Sequence, residues 1–131
     1  MPWVVQFLEE FQPEFHQLRD AVKVELLAQA KVIEHFGPQA GRPRVDTLKR
    51  SKHANMKELR FDADGGVWRV AFAFDPARAA ILLLSGDMSG VSEARFHRDL
   101  IAKGDRRFDA HVRRVAARMA KPPSKAKSKR R

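Results

Sequence analysis

Residues 56–87 read MKELRFDADGGVWRVAFAFDPARAAILLLSGD, and the alternation within them sets the fold class. Successive side chains of a strand point to opposite faces. From Met56 to Asp62, Leu59 and Phe61 share one face while Glu58, Arg60 and Asp62 share the other. From Val67 to Asp75, Trp68, Val70, Phe72 and Phe74 form an unbroken apolar face, opposite Arg69, Ala71, Ala73 and Asp75. A third run follows from Ala80 to Gly86. The first connection, Asp62 to Gly66, ends in two glycines able to take positive φ, and the second, Asp75 to Arg78, opens with a turn-forming Asp-Pro. Three strands in succession joined by short turns predict an antiparallel meander.

Upstream, Trp3 to Phe7 (WVVQF) is β-branched and aromatic and predicts a first strand. Phe15, Leu18, Val22, Leu26, Ile33 and Phe36 recur at three- and four-residue steps, predicting one helix from Glu14 to Phe36 that Gly37-Pro38 stops. The stretch from Gly37 to Asn55 has no sustained period and reads as a connection with a short helical turn near Asp46 to Arg50. Downstream, Leu100, Gly104, Phe108, Val112, Val115 and Met119 predict a helix with Ser92 as its N-cap and a kink or split at Gly104. The order β-α-β-β-β-α predicts an α+β fold, a small antiparallel sheet with its helices on one face.

The 131 residues carry a formal net charge of +10, with 26 Lys and Arg against 16 Asp and Glu. Six of those basic groups lie in residues 121–131, KPPSKAKSKRR, a stretch without a large apolar side chain that reads as a disordered tail. Residues 1–120, read as one domain, keep only +4. Such a tail adds counterion-release affinity for nucleic acid without reading sequence, and equally serves as a solubilising end. Cysteine is absent, which excludes disulfides, thiolate metal sites and thiol nucleophiles; tyrosine is absent too, so no phenol can act as acid or base. The five histidines include no pair four apart, so no zinc helix is expected, and no glycine-rich phosphate loop or serine elbow is present. No apolar run is long enough to span a membrane and residues 1–10 lack a secretory pattern, which points to the cytoplasm.

If both apolar strand faces meet the helices, Glu58, Arg60 and Arg69 emerge together on an uncovered face with room for a ligand. Two guanidiniums beside a carboxylate suit a phosphodiester, because Arg holds phosphate oxygens in bidentate bonds and stabilises charge growing on phosphorus. RNA cleavage by its own 2′-hydroxyl needs a base, cations on the phosphate and an acid for the leaving oxygen. The same three residues also fit an exposed cross-strand salt bridge worth about 0–1 kcal/mol, which the pattern alone favours. Lys49, Arg50, Lys52 and His53 precede the meander and read either as a groove leading to it or as a solvated loop.

The segment from His53 to Asp87 resembles a bacterial toxin of the RelE and HigB superfamily, in particular its phage-derived HigB-like branch. The signatures are Lys57-Glu58-Leu59-Arg60, Trp68-Arg69-Val70 and the run from Ile81 to Gly86 before Asp87. The resemblance implies a cytosolic toxin of a type II toxin–antitoxin pair. Such a toxin cuts mRNA in the ribosomal A site, without cofactor or metal, and is silenced by a cognate antitoxin, expected to be a helix-turn-helix protein. It assigns Arg69 to the scissile phosphate and Arg60 to a basic position on the second strand, with Glu58 either a proton acceptor or a partner of Arg69. The tyrosine and arginine used by some ribosome-dependent members are replaced near Phe96 and Asp87-Met88, which leaves His53 or His97 to supply the acid or base. Lys49, Arg50, Lys52, Lys57, Arg95 and Arg98 are the RNA-binding candidates. A ParE-like inhibitor of DNA gyrase and a basic nucleic-acid-binding module without catalysis are the competing readings.

Overall fold

The computed structural model describes residues 2–120, so the tail expected at residues 121–131 lies outside the described residues. The elements are β1 (Val4–Phe7), α1 (Gln12–His16), α2 (Asp20–Phe36), β2 (Val45–Thr47), β3 (Met56–Ala63), β4 (Gly66–Phe74), β5 (Ala79–Asp87) and α3 (Glu93–Ala120). The five strands lie in the order β1-β5-β4-β3-β2. The meander β3-β4-β5 forms as its alternation predicts, with Arg60 directly opposite Arg69 and Glu58 opposite Ala71.

Several features differ from the expectation, four of them in how the elements are laid out, each for a physical reason. The sheet is mixed, because β1 runs parallel to β5, Val4 against Ala79 through Phe7 against Leu82. More than 70 residues separate the two strands in sequence, long enough for the crossover that parallel pairing needs. The segment near Asp46 is a strand instead of a helical turn: Val45 is buried opposite Leu59, and β2 pairs the edge backbone groups that β3 would otherwise leave open. The first long helix is broken at Gln17–Arg19, where Arg19 is extended (φ −67°, ψ 150°). Across that break α1 stays with α3 through an ion pair of Glu14 with Arg107, while α2 carries its buried stripe of Val22, Leu26, Ala30 and Ile33 to β3 and β1.

The fourth correction matters most for function. The helices do not share one face. Leu59, Val70 and Phe72 face α2, whereas the opposite face, expected to be open, is covered by α3. Ala71 and Ala73 are fully buried there. A Cβ placed on Gly104 would lie 3.5 Å from Met56 Sδ, 3.6 Å from Ala71 Cβ and 3.7 Å from Leu84 Cδ2, so the small residues of the sheet admit a helix rather than a ligand. Gly104 does not split α3, which runs as one helix of 28 residues. Its start is capped as expected, the Arg95 N–H donating to Ser92 Oγ at 3.3 Å. An irregularity at Ala71/Phe72 leaves Leu83 of β5 without a ladder partner on β4, and the Leu83 carbonyl accepts from Arg107 Nη1 at 2.8 Å.

Gly37 ends α2 at φ +58°, and the Trp3 indole occupies the space a side chain there would need. Trp3 in turn meets Phe74 edge-on at 5.4 Å and carries the Arg78 guanidinium 4.8 Å above its ring. This packing ties β1 and the end of α2 to the core.

Candidate functional site

On β3, Glu58 points toward α3 and is 2% exposed. A buried carboxylate is costly unless it is paired, and this one is paired twice. Arg60 Nε, two residues on along the same face, donates to Glu58 Oε2 at 3.0 Å, and His97 Nε2, one turn into α3, lies 2.9 Å from Glu58 Oε1. The other ring nitrogen, Nδ1, lies 3.1 Å from the Glu93 carbonyl oxygen. Both ring nitrogens of His97 thus face acceptors, an arrangement satisfied when each carries a proton. The chain of charges continues through Arg60 Nη2, 3.5 Å from Asp46 Oδ2, to Arg42 Nη2, 3.3 Å from the same oxygen. Partial burial opposes the Asp46 charge, but the Thr47 N–H and the Arg42 and Arg60 guanidiniums outweigh it and hold the carboxyl below its ordinary range.

These residues line one side of a cleft between α3 and the β2–β3 region. A hollow of 310 Å³ is bordered by Arg42, Lys49, Arg50, Glu58, Arg60 and His97. His97, Arg50 and Ile101 also border a second hollow of 460 Å³, whose wall includes Ala94, Arg98 and Ala102. Larger hollows beside Phe7 and Phe15 and between β1 and α2 contain no histidine–carboxylate pair.

The structure sorts the sequence candidates. Glu58, Arg60, His97, Lys49, Arg50 and Arg98 converge on the cleft. Arg69 stands opposite Arg60 but takes no part in the Glu58 cluster: its Nη1 donates to the Trp68 carbonyl at 2.9 Å, and its Nε is buried without a partner among the described residues. The expectation that Glu58 orients Arg69 is therefore corrected, since Arg60 and His97 hold both carboxylate oxygens. His53 is not in the cleft; its Nε2 lies 2.7 Å from Asp109 Oδ1 on α3. Lys52 Nζ reaches the other Asp109 oxygen at 2.6 Å, and this ammonium ahead of His53 holds the Asp109 carboxyl below its usual range. Lys57 points to the opposite face of β3, its Nζ donating to Thr47 Oγ1 at 3.3 Å, and Arg95 is outside the cleft lining.

Sequence reasoning missed Asp46, Arg42 and Ile101 as members of the cleft, and it missed a buried pair at the far end of α3. There His111 Nε2 lies 2.7 Å from Asp75 Oδ2 while Asp75 Oδ1 accepts the N–H groups of Ala77 and Ala79. The available signal was helical spacing: residues 94, 97, 98, 101 and 102 lie on one face of α3. Among the described residues, no three His, Asp or Glu side chains cluster as metal ligands would, and no helix is long and apolar enough to cross a membrane.

Residues 13–109, the span holding the meander and most of α3, match the family described as phage derived protein Gp49-like. The chain belongs to this family. The Gp49-like chain is 41% identical over 88 residues to the putative toxin HigB2 of Mycobacterium tuberculosis, covering 66% of this chain but only 43% of that one. It is 42% identical over 86 residues to the putative toxin HigB3 of the same organism, covering 66% and 74% respectively. Its fold is shared with a mutant of the Escherichia coli toxin RelE in the free state (TM-score 0.52, 14% identity, 79% of this chain and 97% of that one). It is shared also with a chain of the archaeal RelE–RelB complex from Pyrococcus horikoshii OT3 (TM-score 0.50, 15% identity, 70% of this chain and 100% of that one). The Gp49-like chain is thus a member of the RelE/HigB superfamily, with an α+β RelE-like fold.

Proposed function

We propose that this protein is the toxin of a type II toxin–antitoxin pair and acts in the cytoplasm as a ribosome-dependent mRNA endonuclease. The observation that carries the reading is the His97–Glu58–Arg60 cluster in a cleft bordered by Arg42, Lys49 and Arg50. Its family membership and the toxin relatives support the first half; the chemistry of the cluster supports the second.

In this reading the guanidinium of Arg60, and Arg69 beside it, receive the scissile phosphate. Arg69 stands opposite Arg60 on β4 and adds a second positive charge on that side of the sheet. The RNA 2′-hydroxyl gives its proton to solvent water as its oxygen attacks phosphorus, the bond from phosphorus to the 5′-oxygen breaks, and the products carry a 2′,3′-cyclic phosphate and a 5′-hydroxyl. His97 in its doubly protonated form gives a proton to the leaving 5′-oxygen through Nδ1, exchanging the Glu93 carbonyl for that oxygen. Glu58 touches no substrate; it holds the ring by Nε2 and so positions it, as the carboxylate of a catalytic triad does. The partner that silences the toxin is a cognate antitoxin, by analogy with the RelE–RelB complex that shares the fold.

The test is induced expression with mapping of mRNA 5′ ends. The wild-type chain arrests growth and creates new ends clustered within translated codons; His97→Ala and Arg60→Ala arrest far less while remaining folded. Growth arrest without new ends refutes the nuclease and favours the gyrase reading.

A further inference from the structure

The 460 Å³ hollow beside His97 is built differently from the phosphate side of the cleft. Its floor is apolar: Ala94, Ile101 and Ala102 follow one another along a single face of α3. Two arginines border it, Arg98 from the same helix and Arg50 from the β2–β3 connection, and neither forms an ion pair with the described residues. Apolar floor and guanidinium walls together match the face and edges of an unstacked base, which proteins hold by stacking on planar guanidinium groups and apolar side chains. A sugar or a free phosphate gains nothing from such a floor.

We propose that this hollow is a nucleobase subsite, taking a base of the bound RNA next to the phosphate held at Arg60. The proposal rests on the reading that the cleft takes RNA and adds to it how the substrate is read. The wall that carries Arg50 is fastened before any ligand arrives. Ser51 Oγ donates to Asp105 Oδ1 at 2.5 Å, and the Lys52 and His53 side chains hold the two oxygens of Asp109, one helical turn further along α3. This clasp gives His53 a positioning role: it sets the width of the slot between Arg50 and Arg98 and does not touch the reacting atoms. Ile101 and His97 border both hollows, so a base seated on Ile101 has its backbone at His97.

The experiment is NMR titration of the full chain with the four nucleoside 5′-monophosphates, and with ribose 5-phosphate and inorganic phosphate as base-free probes. The monophosphates are expected to shift the Ile101 methyl signals upfield by ring current and to move the Arg50 and Arg98 side-chain signals, whereas the base-free probes leave Ile101 unmoved. Arg98→Ala weakens binding about ten-fold, and Ile101→Trp, which fills the slot, abolishes the monophosphate-induced movement of the Arg50 and Arg98 side-chain signals. Arg98 is exposed, so its replacement reports even if Ile101→Trp fails to fold. The subsite is refuted if ribose 5-phosphate reproduces the shifts, if the base-induced shifts centre elsewhere, or if Arg98→Ala binds as wild type does. Because no bond is broken in this titration, its outcome does not depend on cleavage. A chain that binds bases at Ile101 yet makes no new mRNA ends keeps the subsite and loses the nuclease; one that cuts mRNA while Ile101 ignores every base keeps the nuclease and loses the subsite.

Discussion

Glu58→Gln is the substitution that separates the charge of the cluster from its shape. The amide has the carboxylate's volume, so no cavity forms in a position that is 2% exposed. Turned with its oxygen toward Arg60 Nε and its NH2 toward His97 Nε2, the glutamine satisfies both neighbours, provided the His97 ring is neutral with its proton on Nδ1 facing the Glu93 carbonyl. The fold survives, and two charge-assisted bonds become ordinary ones. Charge-assisted bonds contribute about 1.5–3 kcal/mol against 0.5–1.5 for neutral ones, a loss of about 1 kcal/mol each and about 2 kcal/mol in all. For a domain of this size that lowers Tm by about 6–10 °C. The functional effect is larger, because an acid held in its neutral form cannot protonate the leaving oxygen; the loss of general-acid catalysis is about 100-fold or more. Thermal unfolding, imidazole 15N shifts of His97 and mapping of mRNA ends after induction read the three consequences. An unchanged Tm together with undiminished cleavage in Glu58→Gln refutes the assignment of Glu58 as the group that positions the His97 ring.

Two glycines give opposite expectations. Gly37→Ala drives a methyl group into the Trp3 indole at a positive φ and is expected to cost about 2–5 kcal/mol in urea unfolding. At Gly104 an alanine methyl meets Met56, Ala71 and Leu84 at ordinary contact distance, so Gly104→Ala is expected to stabilise the protein by up to about 1 kcal/mol through helix propensity; a measured loss would show that α3 packs closer than described. Acid weakens the anchoring of α3. Its contact with α1 holds the Glu14 carboxyl below the ordinary range, chiefly through the Arg107 hydrogen bond, and Lys52 and His53 do the same for Asp109. Carboxyls depressed by folding contribute stability above their unfolded values and lose it as pH falls through the folded ones, so Tm should decline below about pH 4. A Tm that rises on acidification from about pH 5 to about pH 3 would contradict those pairings.

Much of the fold is legible along the chain because its signals are local. The Asp-Gly-Gly and Asp-Pro turns, the two strands of alternating polarity, the Gly37-Pro38 stop and the Ser92 cap each act within a few residues, and each appears where its chemistry requires. Two errors arise where local signals compete. Phe15 and Leu18 fit the period of α2, yet the chain breaks between α1 and α2 so that Glu14 can follow α3 while Val22 and Leu26 follow the opposite face. The stretch around Asp46 has no period of its own, and it becomes a strand because the edge of β3 offers hydrogen bonds to it.

What the sequence by itself determined is which side chains stand together: strand alternation puts Glu58, Arg60 and Arg69 on one face, and helical spacing puts residues 94, 97, 98, 101 and 102 on another. What lies over that face was decided only by the tertiary structure. Ala71, Ala73, Gly86 and Gly104 are small, and small residues along a polar face describe an open site and a close helix contact equally well. Alternation and spacing are properties of one backbone segment, whereas the covering of β3 by α3 depends on residues 39 positions apart, His97 and Glu58, meeting across the sheet. That meeting turned an exposed carboxylate into a buried one, gave the histidine its partner, and moved the site from the open surface of a hairpin to the cleft beside a helix.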